Sequence, residues 1–118
     1  MKPLLLISQH APWSGLNARE TLDIALAGGA FDLPVSLLWR GEGVYQLLAG
    51  QQPALLEQKN LQSQLASLPL FGVDALYVCR RSLEARGIDA SQLALAVNVL
   101  DTAAIRELLA GHAQVLVI

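Results

Sequence analysis

Apolar runs recur along the chain at intervals that leave room for a helix between them. The first covers Leu4 to Ile7 without interruption, and four more, each with one polar residue, lie at 35–39, 73–79, 93–99 and 114–118. Continuous apolar runs are typical of strands that are covered on both faces, as in a parallel sheet. The pattern therefore predicts five strands, the third of which ends at Cys79.

The segments between these runs place apolar residues every three or four positions, as amphipathic helices do. In the first segment Asn17 is expected to cap a helix, with Glu20 completing a capping box and Gly28-Gly29 stopping the helix. In the last segment Asp101 is expected to be the N-cap and Gly111 the end of the helix. Both helices would turn an apolar stripe toward the sheet.

The long connection after the second run is expected to hold two further helices. One would cover residues 44–48 and be broken by residues 50–53. The other would be capped by Asn60 and ended by Pro69. A helix over residues 80–86 is expected directly after the third apolar run.

Strands and helices alternate without a repeat, a linker or a break in composition. This alternation predicts one α/β domain over residues 1–118. Its five-stranded, mostly parallel sheet would carry helices on both faces, in flavodoxin-like layers. The crossover connections should be right-handed.

Composition and charge exclude several classes of protein. Apolar residues make up 53% of the chain and charged residues 15%. Because no apolar run approaches the roughly 18 residues of a membrane span, the apolar excess is expected at subunit contacts and not in lipid. The net charge of −2 without a basic run gives no sign of direct nucleic-acid binding.

The single cysteine and two histidines of the chain limit its chemistry further. One cysteine allows no internal disulfide and fits a reducing cytoplasm. The three residues are well separated, so no metal site is visible, and no cofactor is expected.

Cys79 is the main candidate for chemistry, as a reactive thiol. It is expected at the carboxyl end of a strand and at the start of a helix, beside Arg80 and Arg81, where a thiolate would be favoured. Two arginines in a first helical turn oppose the helix dipole, which is typical of a functional or partner surface. The alternative is a buried, structural cysteine next to arginines that face solvent.

Other candidates are weaker. His10 would approach Cys79 if the loop after the first strand lies at the same edge of the sheet, whereas His112 is expected at the opposite edge. The loop Arg40 to Gly43 lies between a strand and a helix, yet it lacks the third glycine and the lysine of phosphate-binding loops. A surface role is the alternative for each histidine.

Three motifs in register resemble one known family. Cys79-x-x-Ser82-Leu83-x-x-Arg86-Gly87 is similar to the cysteine-to-arginine-glycine segment of the DsrE/DsrF-like sulfur-relay proteins. Two further motifs resemble the TusC/DsrF-type branch of that family. They are Gly43-Val-Tyr-Gln-Leu-Leu48 with Gly50-Gln-x-Pro53, and Ala11-Pro12 with Gly15, Arg19-Glu20 and Leu22-Asp23.

The resemblance implies one subunit type of a 2:2:2 heterohexamer, whose other two types are homologous small subunits of the B/H and D/E types. Such complexes receive persulfide sulfur from a donor protein and pass it toward the enzyme that thiolates the wobble uridine of certain tRNAs. A related version serves dissimilatory sulfur oxidation. The main persulfide cysteine of the family lies in the D/E-type subunit, which has small residues where this chain has Arg80-Arg81.

Three functional hypotheses therefore stand side by side. The chain is a structural, non-catalytic subunit of a sulfur-relay complex, or it carries sulfur itself through Cys79. The third hypothesis is a flavodoxin-like binder of a small ligand at the Gly41–Gly43 loop, which rests only on the order of strand, loop and helix.

Overall fold

The sheet has five strands in the order β4-β3-β2-β1-β5, and every neighbouring pair is parallel. The computed structural model describes residues 3–13, 15–48 and 56–118, with the backbone alone over 56–60. The predicted α/β fold with a five-stranded sheet is confirmed. The strands are β1 Leu4–Ser8, β2 Val35–Trp39, β3 Ala75–Cys79, β4 Asn98–Leu100 and β5 Gln114–Val117.

Helices cover both faces of the sheet, as predicted. The α-helices are α1 Asn17–Ala30, α2 Leu56–Ala66, α3 Arg80–Ala85 and α4 Thr102–Ala110. Shorter 3-10 helices cover Gly41–Leu47, Leu68–Phe71 and Ala90–Gln92. The expected helix at 44–48 is thus a 3-10 helix that begins three residues earlier.

Alternate strand residues face two separate cores. On the first face, Leu6, Leu37 and Val78 pack with side chains of α1, α2 and α3. On the second face, Leu5, Ile7 and Leu38 pack against Ile105 of α4, with Leu108 and Leu109 partly buried around them. We call these the helical face and the α4 face.

Two predictions about α1 were wrong. Asn17 is its first helical residue and not its cap, because Leu16 occupies the cap position and no side chain caps this end. The helix also continues through Gly28-Gly29 and ends at Ala30. There the amides of Asp32 and Leu33 bond to the carbonyls of Gly29 and Gly28, a Schellman arrangement with Asp32 in the left-handed region.

The two glycines serve close packing instead. A Cβ at Gly28 would lie 2.7 Å from a methyl carbon of Val35, and one at Gly29 would lie 2.4 Å from the carbonyl oxygen of Phe71. Both distances are shorter than van der Waals contact. The end of α1 therefore approaches β2 and the 3-10 helix Leu68–Phe71 more closely than any larger residue would allow.

Two further predictions need correction. Asn60 does not cap α2, because that helix begins at Leu56. The fourth strand covers only Asn98–Leu100, and residues 93–97 form no ladder beyond an isolated bridge from Leu93 to Leu48. The side chains of this segment are partly buried at alternate positions because they cover the core of the helical face. The predicted break at residues 50–53 lies outside the described residues.

Apolar side chains remain exposed in the connection between β1 and α1, where Trp13 and Leu16 lie, and in two further groups. One group lies near the amino ends of β2 and β3 and comprises Phe31, Leu33, Leu70 and Phe71, of which Leu70 is 87% exposed. The other consists of Val115, Leu116 and Val117 on the edge strand β5. We call them the amino-end patch and the β5 edge. No helix of the described ranges is long and apolar enough to cross a bilayer.

Candidate functional site

Cys79 ends β3 and Arg80 begins α3, as the sequence predicted. The thiol lies on the α4 face, since Cys79 packs at the margin of that core, and its side chain is half-buried. It makes no capping hydrogen bond to the helix that follows. The sulfur is therefore neither sealed in the core nor used as a cap.

Two hollows adjoin Cys79, and both are lined by Arg40 and Arg81. The first has a volume of about 350 Å³ and is bounded by α3, with Ser82, Ala85 and Arg86 completing its wall. The second has a volume of about 240 Å³ and lies toward α4, where Thr102, Ile105, Arg106 and Leu109 line it. Cys79 thus borders two open spaces at the carboxyl edge of the sheet.

Hydrogen bonds tie the loop after β2 to the start of α3. The amide of Arg40 donates to the carbonyl of Ser8 at 3.1 Å, which fixes the loop against β1. The amide of Gly41 donates to the hydroxyl of Ser82 at 2.9 Å. Arg86 donates to the backbone carbonyl of Ser82 at 3.2 Å. Ser82 therefore links the loop after β2 to α3, two of the segments that supply arginines to the hollows.

Gly87 ends α3 in the left-handed region, with a φ of 65°. Its amide donates to the carbonyl of Glu84, and the amide of Ile88 donates to the carbonyl of Leu83. This is the Schellman arrangement that usually needs glycine. The arginine-glycine pair of the sequence motif is thus explained by the way in which the chain leaves the helix.

A buried polar network braces the same edge of the sheet. The side chain of Gln46 accepts a hydrogen bond from the indole of Trp39 at 3.1 Å. It donates to the hydroxyl of Ser8 and to the carbonyl of His10, both at 2.8 Å. Among the described residues no buried side-chain polar atom lacks a partner. Gln46 thereby joins the ends of β1 and β2 to the 3-10 helix Gly41–Leu47.

The glycines of the Arg40 to Gly43 loop have structural roles. A Cβ at Gly43 would lie 2.1 Å from the carbonyl oxygen of Ser8, so only glycine fits there. The amides of Gly41 and Gly43 already donate to Ser82 and to the carbonyl of Arg40. These two amides are therefore not available to cradle a phosphate, which removes the main support for a nucleotide site.

The histidines lie away from Cys79. His10 is exposed at the carboxyl edge, but it follows β1, and β2 separates that strand from β3. His112 lies before β5 at the opposite edge, as predicted, with its Nδ1 2.7 Å from the carbonyl oxygen of Leu108. Within the described ranges, no three His, Cys, Asp or Glu side chains are grouped as metal ligands.

Sequence reasoning placed Cys79, Arg80 and Arg81 together but missed the contributions of Arg40 and Arg106. Arg80 and Arg81 are exposed in the isolated chain. Arg80 faces a third hollow, of about 330 Å³, which also contains Glu84 and Asp101. The only sequence signal for Arg40 was its place directly after a strand. Arg106 carried no signal, because only the course of α4 across the sheet brings it to this edge.

Solved structures share this fold. The ychN protein from Escherichia coli superposes with a TM-score of 0.83 over the whole of both chains, at 22% sequence identity. The protein MTH1491 from Methanobacterium thermoautotrophicum has a TM-score of 0.67 over the whole of both chains, at 17% identity. At these identities the likeness concerns the fold alone.

Sequence relatives are much closer. A protein TusC homolog from Pseudomonas aeruginosa is 59% identical and covers 96% of this chain and 95% of its own length. A TusC homolog from Vibrio vulnificus is 37% identical with 98% of each chain covered. The intracellular sulfur oxidation protein DsrF from Allochromatium vinosum is 37% identical over 79% of this chain and 68% of its own. The profile of the DsrE/DsrF-like family matches residues 2–118, and the chain therefore belongs to that family.

Proposed function

We propose that the chain is the TusC/DsrF-type subunit of a sulfur-relay complex and has a structural, non-catalytic role in it. The observation that carries the proposal is the 59% identity to a TusC homolog over 96% of the chain. The proposed complex contains two homologous small subunits, of the B/H and D/E types, in a 2:2:2 heterohexamer. It passes persulfide sulfur from a cytoplasmic donor toward the 2-thiolation of the tRNA wobble uridine.

Exposed apolar surface supports the assignment to an assembly. Phe31 is 77% exposed and Leu70 87% exposed in the amino-end patch, and three consecutive apolar residues are exposed on the β5 edge. Contiguous apolar surface of this kind is typical of subunit contacts. An edge strand without charged residues is also open to pairing with another strand.

Co-expression with the two sister subunits tests the proposal. The three chains should co-purify as one stable mixed oligomer, measured by light scattering after size exclusion. A variant with Phe31→Lys and Leu70→Lys tests the amino-end patch, and one with Val115→Lys and Val117→Lys tests the β5 edge. Ser63→Lys with Ala66→Lys, at two exposed positions of α2, is the matched control because it also adds two lysines. At least one double variant should lose the partners while the control keeps them. A chain that ignores both sister subunits would contradict the proposal.

The downstream role is tested in the native cell. Affinity purification of the chain should recover both sister subunits and an acceptor of sulfur, and deletion of the gene should lower the 2-thiouridine content of tRNA. The 37% identity to DsrF favours sulfur oxidation as the alternative role. Unchanged 2-thiouridine together with impaired oxidation of reduced sulfur would select that alternative.

A carrier role for Cys79 is a second candidate, favoured by the half-buried thiol that borders two arginine-lined hollows. Mass spectrometry after incubation with a persulfide donor should then show the added mass of one sulfur atom on Cys79. The Cys79→Ser variant should lose tRNA thiolation if the chain is an obligatory carrier. Full thiolation with that variant would mean that Cys79 is not an obligatory carrier and that only the structural role remains.

A further inference from the structure

The charged side chains that line the two hollows beside Cys79 are all positive. Arg40 and Arg81 line both, Arg86 lines the first and Arg106 lines the second, whereas neither hollow is lined by a carboxylate. The third hollow nearby differs, because Glu84 and Asp101 accompany its arginines. Positive charge is therefore concentrated around the cysteine and is not a general property of this edge.

These arginines have no carboxylate partners within the described part of the chain. No ion pair involving Arg40, Arg81 or Arg106 is formed there. Asp101, which precedes α4, accepts the amide hydrogen of Ala104 and caps that helix. Within the described part of the chain the two hollows are thus lined by cations without an ion-paired carboxylate, and Arg81 alone of these arginines also borders the third hollow with Glu84 and Asp101.

The fold brings the arginines together from separate segments of the chain. Arg40 follows β2, Arg81 lies in α3 and Arg106 lies in α4, so three separate segments supply the cations. The bonds from Arg40 to Ser8 and from Gly41 to Ser82 fix the backbone of the first segment. Such preorganisation lowers the entropic cost of binding a ligand.

From these observations we infer that the hollows beside Cys79 form a binding site for a small, doubly charged oxoanion. The planar guanidinium group matches the oxygen atoms of such an anion and donates two hydrogen bonds to it. Sulfate, thiosulfate and inorganic phosphate share this chemistry. The site does not depend on the proposed function, because it needs neither a sister subunit nor a persulfide.

The single cysteine of the chain reports on the site directly. We compare the alkylation rates of Cys79 with iodoacetate, which is an anion, and with iodoacetamide, which is neutral and of similar size. The ratio of the two rates should be higher in the folded chain than in the same chain unfolded in urea. The expected increase is about twofold for each nearby arginine, the size of the interaction between unit charges about 10 Å apart in water.

Arginine variants distinguish a specific anion-binding site from the general effect of positive charge at the surface. Arg81→Gln and Arg106→Gln should each lower the rate ratio by about twofold. Arg80→Gln is the matched control, because it removes the same charge from the adjacent residue, which does not line either hollow. Far-ultraviolet circular dichroism checks that each variant is folded. An equal effect of Arg80→Gln and Arg81→Gln would overturn the inference.

Competition identifies the ligand class. Sulfate, thiosulfate or phosphate should slow iodoacetate saturably in the wild-type chain, and chloride at equal ionic strength should not. The Arg81→Gln variant should lose the saturable part. If the three oxoanions act no differently from chloride, the hollows do not bind oxoanions and the inference is wrong.

Discussion

The helical face and the α4 face belong to the same sheet, but the buried apolar core is much larger on the helical face. Among the described residues, sixteen buried apolar side chains form the core of the helical face and four form that of the α4 face. Within the described residues, three α-helices and the 3-10 helices Gly41–Leu47 and Leu68–Phe71 cover the first face, whereas α4 is the one helix that covers the second. Burial of apolar surface is the main favourable term in folding, so most of the stability should come from the helical face.

The candidate chemistry lies on the less covered side. Cys79 points to the α4 face, and one of its two hollows lies against α4. Val115 and Val117 of β5 point to the same face and are about half exposed. The helical face should therefore contribute most of the stability, whereas side chains on the α4 face should be less sensitive to truncation.

Truncation of one leucine on each face should give the largest effect. Leu22 of α1 is 1% exposed in the core of the helical face, so Leu22→Ala should lower the free energy of unfolding by about 3–4 kcal/mol. Leu108 of α4 is only partly buried, so Leu108→Ala should cost about 1 kcal/mol. Urea denaturation of both variants measures the two costs. Equal costs would mean that the faces do not differ in stability.

Substitution of two glycines compares close packing on the two sides. Gly43→Ala should destabilise the chain by about 3 kcal/mol, because its Cβ would meet the backbone oxygen of Ser8. Gly111 follows α4 at a φ of −79°, and a Cβ there would make only ordinary contacts. Gly111→Ala should therefore be neutral or stabilise the chain by up to about 1 kcal/mol. The melting temperatures of the two variants give the comparison, and similar losses would contradict it.

The strands and cores could be predicted where the residues alone determine the structure. A mostly apolar run contains each of β1, β2 and β3, and Asp101 caps α4 as its type and position predicted. The run at 93–99 was misleading because burial at alternate positions requires only an extended chain over a core. Leu93, Leu95 and Val97 cover the helical face in this way, but only residues 98–100 find a strand partner in β3.

The candidate site was predictable only in part. Cys79 and its neighbouring arginines are contiguous in sequence, so the strand-to-helix corner was visible. Arg40 and Arg106 are far apart in the chain and meet Cys79 only because β2 adjoins β3 and α4 crosses the second face. Gln46 is part of the Gly43–Leu48 motif, but its burial was not predictable, since an uncharged polar residue in a short helix is ordinarily at the surface. The chain order of strands and helices does not specify such convergence.

Removal of the cap of α4 should have a moderate effect. The carboxylate of Asp101 accepts the amide hydrogen of Ala104 at 2.8 Å, so Asp101→Ala should cost about 1 kcal/mol. Asp101→Asn keeps an acceptor oxygen and should cost only a few tenths. Because α4 is the one described helix that covers its face, the loss should also speed hydrogen exchange of the α4 amides more than that of α1. Uniform acceleration in both helices would argue against two faces of unequal stability.

The smallest effect is expected at Asp89, an exposed residue that caps the 3-10 helix Ala90–Gln92. Hydrogen bonds from the backbone and the side chain of Ser91 lower the pKa of the exposed Asp89 below its ordinary value of 3.8. A lowered pKa in the folded state means that the carboxylate stabilises the fold above the unfolded pKa. That contribution disappears as the pH falls through the folded value. The difference in unfolding free energy between wild type and Asp89→Asn should therefore be constant near neutral pH and shrink in acid below about pH 4. A difference that grows in acid would have the wrong sign and would show that the bonds from Ser91 do not favour the charged carboxylate.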